Sequence, residues 1–442
     1  MPELRDLADG HPRRVARRGA SRSGPVKQSL QHNKIAVQQN CCAGTGRGQM
    51  KIVVGNTVEQ ENFWGRTEEL ARLERLLEGD HVLLLAPRRV GKSSLLKAYQ
   101  ARARTDGAVV VYADVQDTRP GPDAEAQFAR TVLDAIHATP AGKRVRPGVF
   151  ARMRAARTSR VKQLQLPGGA GAELEHLPHA WQQAADQAFA RVLAGDTTWV
   201  VLIDELPNVV TTLADLDPTG ARARAFLAWF RALRNRCDAR IRFVVCGSIG
   251  LDSVAARLRC TDTINDLHAW TIGAFSREDA DGFLETIAAA YQVELGPSVR
   301  ARICYELEWL IPHHLQALAQ ELIGKRTAVA ITEADVGAAV EALLANRTYF
   351  NSWDERLTGT LGVPLDDHAR AVLVACSRDP QGASRAVLRQ CLASAGVGDA
   401  TRAQTLTRLL DVLRHDGYLV VEDDRVRFRS ALLRRYWERN FA

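Results

Sequence analysis

Residues 81–94 read HVLLLAPRRVGKSS, a continuous apolar run that passes directly into a polar turn. The apolar run has the composition of a strand that is covered on both faces. A helical pattern follows, with Leu95, Leu96 and Tyr99 on one side. The turn matches the pattern G-x-x-x-x-G-K-[ST], except that Ala86 stands where the pattern has its first glycine. A strand, this turn and a helix in succession predict a loop that binds phosphates.

Each residue type in the turn suits that chemistry. Consecutive backbone N–H groups and the positive end of the helix would face a phosphate. Lys92 would reach the β- and γ-phosphates, Ser93 would supply a hydroxyl to Mg²⁺, and Gly91 would let the backbone approach closely. If Ala86 needs a positive φ, its Cβ costs about 1 kcal/mol. The alternative is a chance turn with a surface lysine. The predicted phosphate-binding residues are Ala86, Pro87, Arg88, Arg89, Val90, Gly91, Lys92, Ser93 and Ser94.

Polar side chains at two other strand ends complete the predicted site. Asp204 and Glu205 follow the apolar run 199–203. We expect Asp204 to hold Mg²⁺ through water and Glu205 to orient and polarise an attacking water, which is the task of a general base. Ser248 follows the apolar run 241–246 and is a candidate sensor of the γ-phosphate. The alternatives are a solvated acidic strand end and an ordinary turn serine.

The order of patterns along the chain predicts the fold class. Apolar runs alternate with helical patterns, which indicates an α/β fold with a parallel sheet and helices on both faces. After Trp270 four helical patterns indicate an all-helical lid, and the last part reads as three helices, a hairpin and a final helix, the order of a winged helix. We predict a core at 50–274 with an insertion at about 140–180, a lid at 275–350 and a winged helix at 366–442.

The net charge of +8 comes mainly from the first 49 residues, which hold nine Lys and Arg against three acidic residues. The remainder is close to neutral, so the basic pI does not indicate nucleic-acid binding. Residues 1–49 lack apolar periodicity, and we expect them to be a disordered basic extension. There are two explanations for this extension. Either the start codon is placed upstream of the true one and Met50 is the natural beginning, or the extension is a basic arm that contacts nucleic acid.

Composition excludes several classes of protein. The longest apolar runs are far shorter than the ~20 residues that a membrane span requires. The eight cysteines are scattered and do not form a secreted disulfide pattern, so buried thiols of a cytoplasmic protein are expected. Cys41-Cys42 and His313-His314 have no partners at metal-ligand spacing.

These motifs together resemble the prokaryotic (archaeal-type) ATPase family, which is related to the AAA+ and STAND P-loop ATPases. The resemblance covers about residues 60–345, and the terminal winged helix also suits the family. It rests on FWGR at 63–66 with Glu69, APRRVGKSS at 86–94, VVLIDELP at 200–207, VVCGSIGL at 244–251 and TINDL at 263–267.

The resemblance implies an ATP-binding core, a helical lid and a change of shape driven by the nucleotide. It also implies an adenine pocket near Phe63, Gly65 and Arg66. The segment IPHH at 311–314 resembles the place of the second sensor in relatives, although no arginine stands there. Arg257 and Arg259 stand roughly where ring-forming relatives carry a finger for the neighbouring subunit of a homo-oligomer. Solvated arginines are the alternative.

The sequence therefore predicts Mg²⁺-dependent ATP hydrolysis that drives a conformational switch acting on a DNA or protein partner. Glu205 favours this over the alternative, a non-hydrolysing module in which ATP only fixes a docking shape. The winged helix could read DNA. Because acidic residues at the wing tip oppose phosphates, its wing could instead dock on protein or act as a regulator on the side of the lid. The residues that would face DNA are Arg402, Gln404, Thr405, Arg408, Arg425, Arg427 and Arg429, and the opposing tip residues are Glu422, Asp423 and Asp424.

Overall fold

The computed structural model describes residues 50–55, 57–58, 62–103, 108–145, 180–237, 239–324 and 329–442. The predicted basic extension at 1–49 and most of the predicted insertion at 140–180 lie outside these residues. From Gly48 to Ala442 the chain forms one compact unit.

A five-stranded parallel sheet forms the centre of the core. Its strands are β1 (His81–Leu85), β2 (Val109–Asp114), β3 (Trp199–Asp204), β4 (Ile241–Cys246) and β5 (Leu267–Thr271). Their order is β2-β3-β4-β1-β5, with Leu84 opposite Cys246 and Leu202 opposite Val244. Because β4 lies between β1 and β3, the carboxyl ends of these three strands lie side by side. This arrangement brings the three predicted motifs to one edge of the sheet.

Helices cover both faces of the sheet, as predicted. They are α1 (Thr67–Leu77), α2 (Lys92–Ala103), α3 (Ala124–Ala138), α4 (Pro140–Arg144), α5 (Ala180–Leu193), α6 (Leu206–Leu216), α7 (Ala221–Arg236) and α8 (Leu251–Arg257), with a 3-10 helix at Thr261–Thr263. Alternate residues of each strand enter different cores: Leu202 packs with α1 and α2, and Ile203 packs with α3, α6 and α7. All six residues of β3 are buried, which explains its continuous apolar run.

Four helices of a lid follow the sheet, at the places where the sequence has helical patterns. They are α9 (Arg277–Tyr291), α10 (Pro297–Leu307), α11 (Pro312–Gly324) and α12 (Glu333–Ala345), and a short parallel pair, β6 (Glu294–Leu295) and β7 (Ala330–Ile331), joins them. Side chains cap two of the helices: Ser276 accepts from the Asp279 N–H, and Thr332 and Asp335 form a capping box. Helix α13 (Arg347–Leu361) leads out of the lid.

The C-terminal module (residues 365–441) has the element order of a winged helix. Its elements are α14 (Leu365–Ser377), β8 (Ala383–Ser384), α15 (Arg385–Ser394), α16 (Asp399–His415), β9 (Leu419–Glu422), β10 (Arg425–Phe428) and α17 (Ala431–Phe441). The three strands form an antiparallel sheet in the order β8-β10-β9. Helix α16 buries Leu406, Leu409, Leu410 and Leu413, the face expected from their spacing. Across the described segments, no helix combines the length and apolarity needed to cross a membrane.

Candidate functional site

The loop between β1 and α2 (residues 86–91, the P-loop) closes around the side chain of Lys92. The Lys92 ammonium donates to the carbonyl oxygens of Ala86 at 2.7 Å and Pro87 at 3.2 Å. Positive φ angles occur at Arg89 (65°) and Gly91 (101°) and not at Ala86, so the alanine causes no backbone strain. Burial is the main cause that lowers the pKa of Lys92, and the nearby carboxylates of Glu205 and Asp204 oppose the shift.

Asp204 ends β3 with its carboxylate buried and fully hydrogen-bonded. Its Oδ2 accepts from the Tyr112 hydroxyl at 2.8 Å, and its Oδ1 accepts from the Cys246 thiol at 2.9 Å and the Glu205 N–H at 3.1 Å. Burial, reinforced by Asp204, raises the pKa values of Tyr112 and Cys246, so both keep their protons and act as donors. The three donors therefore hold the carboxylate of Asp204 in one orientation.

Glu205 lies beside Ser248, at the carboxyl ends of the neighbouring strands β3 and β4. Its Oε2 accepts from the Ser248 N–H and hydroxyl, both at 2.9 Å, and from the Asn208 amide at 3.1 Å. Among the described residues, no hydrogen bond reaches Oε1. Gly247 allows this approach, because a Cβ there would lie 2.4 Å from Pro207 Cδ.

The two predicted magnesium ligands are Ser93, in the first turn of α2, and Asp204, at the carboxyl end of β3. Mg²⁺ in nucleotide sites keeps several waters and binds one or two carboxylates together with substrate phosphates. The described residues contain no group of three or more His, Cys, Asp or Glu that could hold a metal. One hydroxyl and one carboxylate therefore fit Mg²⁺ only when phosphates supply further ligands.

Arg89 points away from the P-loop backbone and into the lid. Its guanidinium is within 2.6 Å of His313 Nε2, donates to the Ser352 hydroxyl and lies 5.4 Å from the centre of the Trp353 ring. The lid segment 311–314 has no arginine of its own. In the contact between the lid and the P-loop, the arginine comes from the P-loop. Of the two adjacent arginines of the P-loop, Arg88 and Arg89, it is Arg89 that contacts the lid, through His313.

The remaining predicted residues of the site lie behind the P-loop. Arg66 is buried, donates to the carbonyls of Val90 at 3.2 Å and Gly273 at 2.7 Å, and pairs with Glu69 at 2.6 Å. Ser94 accepts from the Val58 N–H at 3.2 Å. Arg66 therefore supports the P-loop through the Val90 carbonyl, and Ser94 ties α2 to Val58. Of the other predicted residues, Phe63 packs on the core and Gly65 has a φ of 68°.

The C-terminal module reaches this site through the turn that joins α16 to β9. A Cβ on Gly417 would lie 2.9 Å from Pro87 Cβ and 2.8 Å from Trp309 Cη2, and one on Gly250 would lie 2.2 Å from the His415 ring. Arg356 of α13 donates to the Ser248 carbonyl at 3.2 Å and to Asp416 at 3.3 Å. Sequence reasoning missed these contacts, because no local motif marks Arg356 or the turn at 415–418.

Comparison with known proteins also indicates a P-loop NTPase fold. The family model described as Novel STAND NTPase 1 matches residues 56–439. A Walker-type ATPase of Pyrococcus abyssi is similar in structure, with a TM-score of 0.58, 17% identity and coverage of 87% of this chain and 99% of that chain. The ORC2 protein of Aeropyrum pernix, solved as ADPNP–ADP complexes, has a TM-score of 0.53 and 13% identity over 87% of this chain and 94% of that chain.

At such identities the structural likeness concerns the fold alone. No curated protein matches the sequence. The expected resemblance to P-loop ATPases of the AAA+ and STAND superfamily is confirmed, and the family model spans nearly all of the compact unit. With its P-loop, its acidic strand end and its strand order, the chain belongs to the novel STAND NTPase 1 family.

Proposed function

We propose that this protein binds ATP and Mg²⁺ between the P-loop and the Asp204–Glu205 pair and hydrolyses the ATP. In this proposal the nucleotide controls whether the C-terminal module stays docked on the P-loop. The observation that carries it is the turn at 415–418, which packs against Pro87 and Gly250 at the edge of the site. A phosphate that changes the conformation of the P-loop would act directly on the contact between Pro87 and the turn at 415–418.

The residues have distinct tasks in the proposed reaction. Lys92 holds the β- and γ-phosphates, and Ser93 and Asp204 would hold Mg²⁺. When bound, Mg²⁺ neutralises negative charge on the phosphates. Glu205 Oε1 would accept a proton from the attacking water, while Ser248 and Asn208 fix the other carboxylate oxygen. Because both donors bind Oε2, the glutamate presents one defined oxygen to the water.

The partner of the switch is proposed to bind the C-terminal module, as DNA or as protein. Gln404 and Arg408 of α16 are exposed and support a DNA-facing surface. Arg427, however, pairs with Glu422 at 2.7 Å, and Arg429 lies 5.5 Å from the centre of the Trp309 ring in the lid. Salt-dependent binding to duplex DNA that is lost in Arg408→Gln would support a DNA partner.

Assembly and location complete the proposal. Arg257 and Arg259 are exposed on and just after α8, which suits a finger toward a neighbouring copy in a nucleotide-dependent homo-oligomer. The protein would act in the cytoplasm. A mass measurement with and without ATP tests the assembly.

The central test is ATP turnover in the wild type and in Glu205→Gln. We expect the substitution to lower turnover at least about a hundredfold, because the amide cannot accept the proton, while the Kd for ATP stays within a few-fold. Glu355→Gln, at an exposed position of α13, is the matched control. Tight ATP binding without any turnover in the wild type would contradict hydrolysis and favour the non-hydrolysing module.

A further inference from the structure

Arg88 lines a small pocket between the P-loop, α13 and the C-terminal module. Arg356, Asp416 and Tyr418 line this pocket with it. Arg88 is only partly accessible to solvent, and within the described part of the chain its guanidinium makes no hydrogen bond. A guanidinium carries five N–H donors, so a partly buried arginine without acceptors is costly unless a ligand supplies them.

The charges of the pocket do not balance. Asp416 pairs with Arg356, whose guanidinium also donates to the Ser248 carbonyl. Burial and the like charge of Arg356 lower the pKa of Arg88, although an arginine stays protonated in proteins. Among the residues that line the pocket, arginines outnumber the single carboxylate, that of Asp416, so an anion would meet an excess of positive charge there.

The position of Arg88 within the site indicates which anion. It lies in the P-loop, four residues before Lys92. Arg356, which lines the pocket with it, donates to the carbonyl of Ser248, whose hydroxyl in turn binds Glu205. Arg88 thus lies near both the ammonium that holds the phosphates and the carboxylate that faces the water. In an in-line transfer the terminal phosphoryl group lies between those two groups. Arg89 cannot take this role here, because its guanidinium is bound to His313 and Ser352.

We propose that Arg88, with Arg356 beside it, contacts the terminal phosphate of the bound nucleoside triphosphate from within the same chain and so distinguishes ATP from ADP. The inference rests on the proposed function of this site. A guanidinium suits the task because its planar donors bind two phosphate oxygens at once. The same contact would stabilise charge on the transferred group, since arginines provided within one chain do so in other phosphoryl transfers.

Calorimetric titration of the full chain with Mg²⁺ and either a non-hydrolysable ATP analogue or ADP tests the proposal. For Arg88→Gln we expect an analogue Kd about tenfold weaker or more, because charge-assisted hydrogen bonds are lost, and an ADP Kd within about twofold of wild type. Arg88→Lys should fall between, since it keeps the charge without the planar fork. Arg389→Gln, at an exposed site of α15, removes the same charge and should change neither Kd.

Thermal unfolding without nucleotide provides a second measurement. Arg88→Gln removes no hydrogen bond of the described chain, so its melting temperature should equal or exceed that of wild type. A lower melting temperature, or an equal loss of analogue and ADP affinity, would assign Arg88 a structural role and overturn the inference. Unchanged binding of both nucleotides would also overturn it. Wild-type protein that binds neither nucleotide would instead refute the proposed function of the site.

Discussion

Glu205 has a left-handed backbone conformation (φ 65°), which a residue with a Cβ adopts only when its surroundings hold it there. It stands at the N-cap of α6, and its Oε2 accepts three hydrogen bonds. The backbone turn and the three donors together fix one carboxylate oxygen. At the scale of the residue, the site is organised around the orientation of this side chain.

Ser248→Ala tests that orientation. The alanine keeps the N–H that donates to Oε2 but removes the hydroxyl, so Glu205 can rotate away from the attacking water. We expect turnover to fall about tenfold, with the Kd for ATP within a few-fold, as for the loss of one hydrogen bond to a charged group. Ser248→Thr should restore much of the rate, and Ser253→Ala in α8 is the control. Full activity of Ser248→Ala would show that the hydroxyl does not position Glu205.

Local patterns predicted most of the single residues. Asp204, Glu205 and Ser248 lie within two residues of the end of an apolar run, and Lys92 follows the P-loop after another, so the strand ends bring them to one edge of the sheet. Arg356 had no such signal, because its contact with Ser248 spans 108 residues of sequence. Contacts of that kind depend on how the lid, α13 and the C-terminal module pack, which no short segment encodes.

Among the elements, α11 has the most unusual polar interior. His313 and His314 lie buried near its start; His313 Nε2 is 2.6 Å from Arg89, and His314 Nδ1 is 2.6 Å from the Tyr349 hydroxyl. Burial, together with the charge of Arg89, lowers the pKa of His313 to about 2 and that of His314 to about 3. Both imidazoles are therefore neutral in the folded protein across the physiological range.

Acid should destabilise the protein through these two histidines. In the unfolded chain each titrates near its ordinary pKa of about 6.5, so below that pH the unfolded state binds more protons and stability falls. Each histidine contributes up to about 1.4 kcal/mol per pH unit until its folded pKa is reached. Denaturant unfolding of His314→Leu at about pH 7, 6 and 5 should show a slope lower by one proton.

Leu315→Ala, which truncates a buried apolar side chain of the same helix, is the control for this measurement. It should leave the wild-type slope nearly unchanged. If His314→Leu has the same pH slope as wild type, His314 is not held neutral by the fold.

The elements themselves were predicted wherever burial leaves a pattern. The apolar runs at 81–86, 108–112, 199–203 and 241–246 correspond to β1, β2, β3 and β4. The leucines of α16 are buried, as their spacing indicates. Strand β5 was not predicted, because it lies at the sheet edge with His268, Ala269 and Thr271 exposed. Strand β8 has two residues, too few for any alternation.

One apolar core joins the sheet, the lid and the C-terminal module across the whole molecule. The Phe350 and Tyr436 rings stack with centres 3.9 Å apart, and Arg435 pairs with Glu306 at 2.7 Å and Glu341 at 2.6 Å. The module is thus packed extensively on the lid and α13. Its contact with the P-loop, by comparison, is made through the turn at 415–418.

Gly417→Val should separate this turn from the P-loop. The residue has a φ of 91°, and a β-branched side chain there would collide with Pro87 and Trp309. We expect a larger radius of gyration in small-angle X-ray scattering of the nucleotide-free variant. Gly396→Val has a comparable φ of 85° but no atom within 4 Å of its Cβ, so it controls for backbone strain alone. Identical scattering curves of the two variants would contradict docking through Gly417.

The two bonds from Lys92 to the carbonyls of Ala86 and Pro87 affect how nucleotide affinity should be understood. These bonds satisfy the lysine within the loop, so a nucleotide must compete with two internal acceptors for the ammonium. The affinity measured in solution then reflects the bonds that Lys92 forms with the nucleotide less the two internal bonds that it gives up. A loop variant that weakens the internal set would bind nucleotide more tightly without any new contact to it.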